Sequence, residues 1–147
     1  MRALIQRCQY ASVSAGGKLI NQIDYGITIF IGISVDDNAE DINYLVNKII
    51  NLRIFDDEAG VMNKSIREIS GKVLSISQFT LQADTSKGNR PSYSGAMKGE
   101  DAKSLYDDFN TKLSEKVDVY SGIFGANMQI SLVNDGPVTI FLDSKNK

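Results

Sequence analysis

The sequence predicts an α/β fold: a single mixed-sheet domain over residues 1–147, with two main helices packed on layered β structure. Three observations predict it. Strand-like segments outnumber helical ones and run in the order strands, helix, strands, helix, strands, which suits one helical layer over a sheet. Only two stretches carry apolar residues at helical spacing. A chain of 147 residues, 42% hydrophobic and 23% charged, suffices for one core and lies far from disordered or disulfide-rich compositions.

Residues 3 to 14 are rich in small and β-branched types, and Gly16-Gly17 precedes a second apolar stretch, Leu19 to Ile23, so the opening reads as a hairpin. Ile27 to Ile33 is continuously apolar, as a strand covered on both faces must be, and is assigned as the central strand. Asp37 and Glu40 resemble a capping pair ahead of Ile42, Leu45, Val46, Ile49 and Ile50, which form the stripe of the first helix. Leu52 to Phe55, the acidic run Asp56-Asp57-Glu58 with Ala59-Gly60, and Val61-Met62 read as a short hairpin with a solvated tip. Those acids could ligate a hard cation, but no further oxygen ligands follow at regular spacing.

Val73 to Leu81 reads as a strand, followed by a long polar loop from Asp84 to Gly99. The second helix places Ala102, Leu105, Tyr106, Phe109 and Leu113 on one face and opens with Glu100 and Asp101. Three further strands are expected, Val119 to Phe124, Met128 to Val133 and Val138 to Leu142, with Asn134-Asp135-Gly136-Pro137 breaking the chain before the last.

Composition narrows the chemistry. Cys8 is the only cysteine, so no internal disulfide, cysteine-rich zinc site or iron–sulfur cluster can form within one chain. There is no histidine, which removes Ser-His-Asp and Cys-His catalysis and the commonest metal ligand together. A net charge of -2 argues against a broad phosphate-neutralising face, so any nucleic-acid contact must be local. Gly16-Gly17-Lys18 lacks the upstream glycine and following hydroxyl of a P-loop. With no apolar run of signal-peptide or membrane-spanning length, the expectation is a cytoplasmic protein with no membrane partner, no cofactor and no metal.

Three segments remain as candidate sites. Ser77-Gln78-Phe79-Thr80-Leu81 clusters hydroxyl and amide groups where an apolar strand leaves the core, though alternating polar residues of a half-buried strand look the same. Asn134-Asp135-Gly136-Pro137-Val138-Thr139 has the composition of a turn, yet a Gly-Pro bond can be cis and would then hold neighbouring carbonyls in a fixed, exposed arrangement. Lys87-Gly88-Asn89-Arg90-Pro91-Ser92-Tyr93 combines two cations and a ring that could grip a phosphate and stack a base, or is an ordinary polar loop.

Taken together, SQFTL, KGNRPSY and VNDGPVT resemble the D-aminoacyl-tRNA deacylase family. The resemblance runs the whole length, from Leu4-Ile5-Gln6-Arg7 through Arg53-Ile54-Phe55 and Phe124-Gly125-Ala126 to Met128-Gln129-Ile130-Ser131-Leu132-Val133. Departures are minor: family members often carry an acid at Asn127, phenylalanine at Tyr93 and an aliphatic residue at Cys8, which marks Cys8 as a core hydrophobe rather than a nucleophile.

The resemblance implies hydrolysis of the ester between a D-amino acid and the 3′ end of tRNA, by a homodimer with its sites at the subunit interface. It implies that Gly136 and cis-Pro137, supported by Arg7, form a backbone filter against L-amino acids. Such a filter reads handedness and not side-chain identity, so glycyl-tRNA is an expected substrate too. Ser77, Gln78, Phe79 and Thr80 are the implied catalytic strand, Ala126, Met128, Val138 and Thr139 the implied substrate pocket, and Lys87 and Arg90 candidate tRNA contacts.

A Thr80 nucleophile would need a base that a histidine-free chain does not offer, whereas the vicinal ribose 2′-hydroxyl could activate water while Thr80 orients. Competing readings are a non-catalytic module holding a nucleic-acid end or small ligand, and a threonine esterase acting on small metabolites.

Overall fold

The computed structural model describes residues 1–147. Along the chain come β1 (Arg2–Ala15), β2 (Lys18–Ile23), β3 (Gly26–Gly32), α1 (Ala39–Asn51), β4 (Phe55–Asp56), β5 (Met62–Lys64), β6 (Lys72–Ser77), a 3-10 turn (Phe79–Gln82), α2 (Gly99–Ser114), β7 (Asp118–Ser121) and β8 (Met128–Asp143). The main sheet runs β2-β1-β3-β6-β7, with β8 on the other side of β1. Pairings among β8, β1, β2 and β3 are antiparallel, whereas β3-β6 and β6-β7 are parallel. Asn21 of β2 donates its side-chain amide to the Ser121 carbonyl at 2.6 Å, so the sheet curls until β2 meets the β7 end and becomes a partial barrel. No helix is long and apolar enough to cross a membrane.

Two apolar clusters follow from this curl. On one face Ala3, Ile5, Ile29 and Ile31 meet Ile42, Leu45 and Ile49 of α1 and Phe109 and Leu113 of α2. On the other, Cys8, Ala11, Val13, Ile23, Leu74 and Ile76 fill the inside of the curl. Cys8 is fully buried, its thiol held up by desolvation and reached by the Thr28 hydroxyl at 3.6 Å, as a core residue would be.

The sequence-based boundaries need five corrections. The first helix is capped by Asn38 and Asp41, not Asp37 and Glu40: the Asn38 side chain accepts from the Glu40 N–H at 2.8 Å, and the Asp41 carboxylate accepts from the Asn38 N–H at 3.0 Å. Asp37 instead is buried, where it accepts from the Ser34 N–H at 2.6 Å and pairs with the Met1 ammonium. The acidic hairpin pairs Phe55–Asp56 with Met62–Lys64 rather than Leu52–Phe55 with Val61–Met62, and at its tip Asp57 folds back to accept from the Ala59 and Val61 N–H groups at 2.9 and 3.0 Å.

The strand expected over Val73 to Leu81 stops at Ser77. Its ladder neighbour β3 ends at Gly32, and the last rung is the Gln78 N–H to the Ile31 carbonyl at 2.7 Å. The chain then turns, and Gly32 makes room for it: a Cβ there would lie 2.8 Å from Leu81 Cβ and 3.0 Å from the Gln78 carbonyl oxygen. Finally, β7 is shorter than expected, and the two last strands are one continuous β8. Asn134 to Pro137 is absorbed as a bulge, since Thr139 stands opposite Gln6 while Asn134 stands opposite Cys8. The extra residues turn the strand over. Met128, Ile130 and Leu132 face the inside of the curl, whereas Val138, Ile140 and Leu142 pack on the helix-facing core.

Candidate active site

A cavity of about 600 Å³ opens where the C-terminal end of β6, the start of α2 and the start of β8 converge. Parallel strands put their C-terminal ends on one side, and the loops that leave there are the natural mount for a site. The floor is apolar, with Ile31, Ile76, Ala102, Phe124, Met128 and Ile130, and Ser77, Gln78 and Phe79 supply one wall.

That wall is braced. Arg2 Nη1 donates to the Leu81 carbonyl at 2.8 Å, and Gln82 Nε2 donates to the Gly32 carbonyl at 2.8 Å, so the C-terminal end of the 3-10 turn is tied to the sheet. Gln78 Nε2 donates to Thr80 Oγ1 at 2.5 Å, which leaves the threonine proton free to point outward. Thr80 has no basic side chain on it, and the cavity wall includes Gln78 but not Thr80. As at any helix start, the first N–H groups of this turn have no intrahelical partner.

Opposite, α2 is fixed by the buried Tyr106, whose hydroxyl donates to the Ser75 carbonyl at 2.9 Å and accepts from Ser75 Oγ at 3.2 Å. Burial raises the Tyr106 phenol above its ordinary pKa, so it remains a neutral donor. At the mouth, Phe79 and Tyr93 stack edge to face at 5.0 Å, with Phe79 55% exposed, an aromatic surface open to a planar partner. The loop carrying Tyr93 is pinned by reciprocal Asp84–Ser92 backbone bonds at 2.8 Å, and it continues to the Met97 N–H, which donates to the Ile33 carbonyl at 2.9 Å.

The structure thus brings Ser77, Gln78, Phe79, Ala126 and Met128 together around one cavity, with Thr80 attached through Gln78. It does not bring in Gly136, Pro137, Val138, Thr139 or Arg7, none of which lines that cavity. Ile130 is the last cavity residue on β8, and six further residues of strand carry the chain to Gly136, roughly 20 Å away. Thr139 is spent locally, accepting from Gln6 Nε2 at 3.2 Å and Asn134 Nδ2 at 2.9 Å. Lys87 and Arg90 sit exposed at the loop tip, outside the cavity.

Around Gly136 a separate, rigid arrangement is built. The Gly136-Pro137 bond is cis, and both residues are exposed. Behind them Arg7 is buried at 6% exposure, donating Nη1 to the Ile54 carbonyl at 2.7 Å. Its Nε approaches Asp135 at 3.0 Å, aligned as an ion pair rather than as a hydrogen bond. Gly136 has φ +115, and a Cβ there would sit 2.8 Å from Val138 Cγ2 and 3.2 Å from Arg7 Nη2, so only glycine suits the position.

Sequence reasoning missed Lys98 and Asn127, which also line the cavity. Asn127 directly follows the Phe124-Gly125-Ala126 segment and could have been found by extension from it. Lys98 gave no motif signal, because it becomes a cavity residue only through the docking of α2.

Comparison with known proteins bears on the family and the fold. The family described as D-Tyr-tRNA(Tyr) deacylase matches residues 4–143. A solved structure titled "c-Myc DNA Unwinding Element Binding Protein" superposes with a TM-score of 0.93 at 41% identity, covering 97% of this chain and 98% of that one. A second, titled "Structural Analysis of a probable eukaryotic D-amino acid tRNA deacylase", superposes with a TM-score of 0.79 at 18% identity, covering 96% and 97%, and at that identity speaks to the fold alone. With nearly the whole length matched and SQFTL and VNDGPVT both in place, the chain belongs to the D-tyrosyl-tRNA deacylase family, and it is a hydrolase of D-aminoacyl-tRNA.

Proposed function

We propose that the protein acts as a homodimer in cytoplasmic translation quality control, each cavity receiving the 3′ end of an aminoacyl-tRNA while the partner's Gly136-Pro137 backbone screens the amino acid. One observation carries this reading: a rigid, exposed Gly-Pro element backed by a buried arginine stands roughly 20 Å along β8 from the cavity of its own chain. An element so placed is far from an amino acid held in its own cavity, which favours a role on a substrate held by another copy.

A second copy has a surface to meet. β8 pairs with β1 on one edge only, and Leu4 stands in register between Phe30 and Phe141 on the face opposite the helices, with Phe141 52% exposed.

In the reaction, main-chain N–H groups at Ser77 and Phe79 and the remaining side-chain amide hydrogen of Gln78 serve the ester, where donors stabilise the oxyanion as it forms, while the Gln78 backbone N–H stays on Ile31. Water is the attacking group, helped by the vicinal 2′-hydroxyl of the terminal ribose, and Thr80 orients it. The Phe79–Tyr93 rings receive the terminal base. Since the filter excludes the side chain of an L-residue and glycine has none, glycyl-tRNA is a substrate as well. The similar protein whose title names DNA unwinding-element binding raises a duplex-binding alternative, which a net charge of -2 does not favour.

Mixing two disabled chains tests the arrangement. Gly136→Ala chains should hydrolyse L-tyrosyl-tRNA as well as D-tyrosyl-tRNA. Refolded with an excess of Gln78→Ala chains, whose cavities are impaired but whose Gly-Pro element is intact, they should lose L-turnover and keep D-turnover. L-turnover that persists in the mixture would mean the element screens its own cavity.

A further inference from the structure

We propose that Lys98 is a substrate-binding residue that holds the phosphate of the terminal nucleotide, an inference that rests on the deacylase activity. Of the 18 residues lining the cavity, 12 are hydrophobic and Lys98 is the only charged one. Lys64, Lys72, Lys103 and Lys145 each hold a carboxylate. Lys98 holds none.

Its backbone is nevertheless fixed. The residue is extended (φ -127, ψ 163) between the Met97 N–H, bonded to Ile33 at 2.9 Å, and Gly99, whose φ of +65 starts α2. Lys98 is exposed, so a fixed Cα at the rim of an apolar cavity carries a side chain with no internal partner and a charge free to meet a ligand there. Glu100 and Asp101, the acids of the first helical turn, are exposed and do not line the cavity, so they do not compete for it.

The chemistry of the substrate selects the partner. While the ester is intact the amino acid has no carboxylate, and its ammonium would be repelled by a lysine. The anion nearest the scissile bond is the 5′-phosphate of the same nucleoside, one sugar away. Lysine suits it as a mobile point charge, without the fixed fork that arginine would impose. Lys87 and Arg90, at the exposed loop tip, are left for phosphates further along the strand.

Two small substrates test this: 3′-O-D-tyrosyl-adenosine, and the same ester carrying a 5′-phosphate. For the unsubstituted protein the phosphate should lower KM about tenfold, as one charge-assisted contact at an open site would. Lys98→Gln should bring the ratio of the two KM values to about one, Lys98→Arg should keep most of it, and the log-log salt slope of tRNA binding should fall by about 1 in Lys98→Gln. An unchanged ratio in Lys98→Gln, or no phosphate effect in the unsubstituted protein, overturns the assignment. So does relief of inhibition by free D-tyrosine with the phosphate effect intact, which would give the lysine to the product carboxylate. Failure of the unsubstituted protein to release D-tyrosine from tRNA would remove the activity itself, a distinct result.

Discussion

Replacing Arg7 by methionine keeps an unbranched apolar stem in place and removes the guanidinium. The Ile54 carbonyl, now bonded at 2.7 Å, loses a charged donor, which costs about 2 kcal/mol at a buried position. Asp135, with its side chain 21% exposed and 3.0 Å from Arg7 Nε, loses its counter-charge and recovers only part of its hydration, for about another 1 kcal/mol. Asp56, at 3.4 Å and 51% exposed, adds next to nothing. The expected loss is therefore about 3 kcal/mol, read as a lower urea midpoint with an unchanged slope.

The same change removes the group packed behind Gly136, so discrimination between D- and L-tyrosyl-tRNA should weaken in those Arg7→Met molecules that remain folded. Arg7→Lys, which keeps a charge but not the fork, should fall between. A loss below about 1 kcal/mol, or stability lost with discrimination untouched, would refute the view that Arg7 braces the Gly-Pro element.

Gly136→Ala meets an unfavourable φ of +115 and a contact of 2.8 Å with Val138, so it should destabilise by about 1 to 3 kcal/mol and raise L-turnover in a release assay. Thr80→Ala should keep a measurable rate, whereas a tRNA ending in 2′-deoxyadenosine should lose it; complete loss of turnover in Thr80→Ala with binding intact would instead make the threonine the nucleophile. Asp41 is desolvated, but hydrogen bonds from Ser144, Lys145 and Asn38 outweigh that and bring its pKa from 3.8 to about 2. The folded value lies below the unfolded one, so Asp41 stabilises above pH 4 and this contribution fades as pH falls towards 2. Asp41→Asn should be less stable at neutral pH, on the order of 1 kcal/mol, with a shallower acid transition in a urea series across that window.

Much of the fold was legible because burial imposes periodicity. The run Ile27–Ile33 is apolar but for the buried Thr28 since nearly all of β3 is covered, and the stripes of α1 and α2 mark the sides that meet at Phe109 and Leu113. Boundaries set by long-range partners were not legible. Nothing local says that Ser77 is the last strand residue; that follows from where β3 ends and from Gly32 admitting Leu81.

Asn134-Asp135-Gly136-Pro137 has the composition of a turn, yet pairing with β1 on both sides carries the strand through it as a bulge. For the site, residues contiguous in sequence were found together, as Ser77 to Phe79 were. Lys98 depends on how a helix docks, and the distance between the cavity and Gly136 depends on the course of a 16-residue strand.

The measurement that tests the account most directly is release of amino acid from D-tyrosyl-tRNA and L-tyrosyl-tRNA, side by side, by sub-stoichiometric protein. Many turnovers on the D-ester with the L-ester intact over the same time are predicted. Equal release from both would contradict a screen made of backbone, and no release beyond one equivalent from either would contradict catalysis.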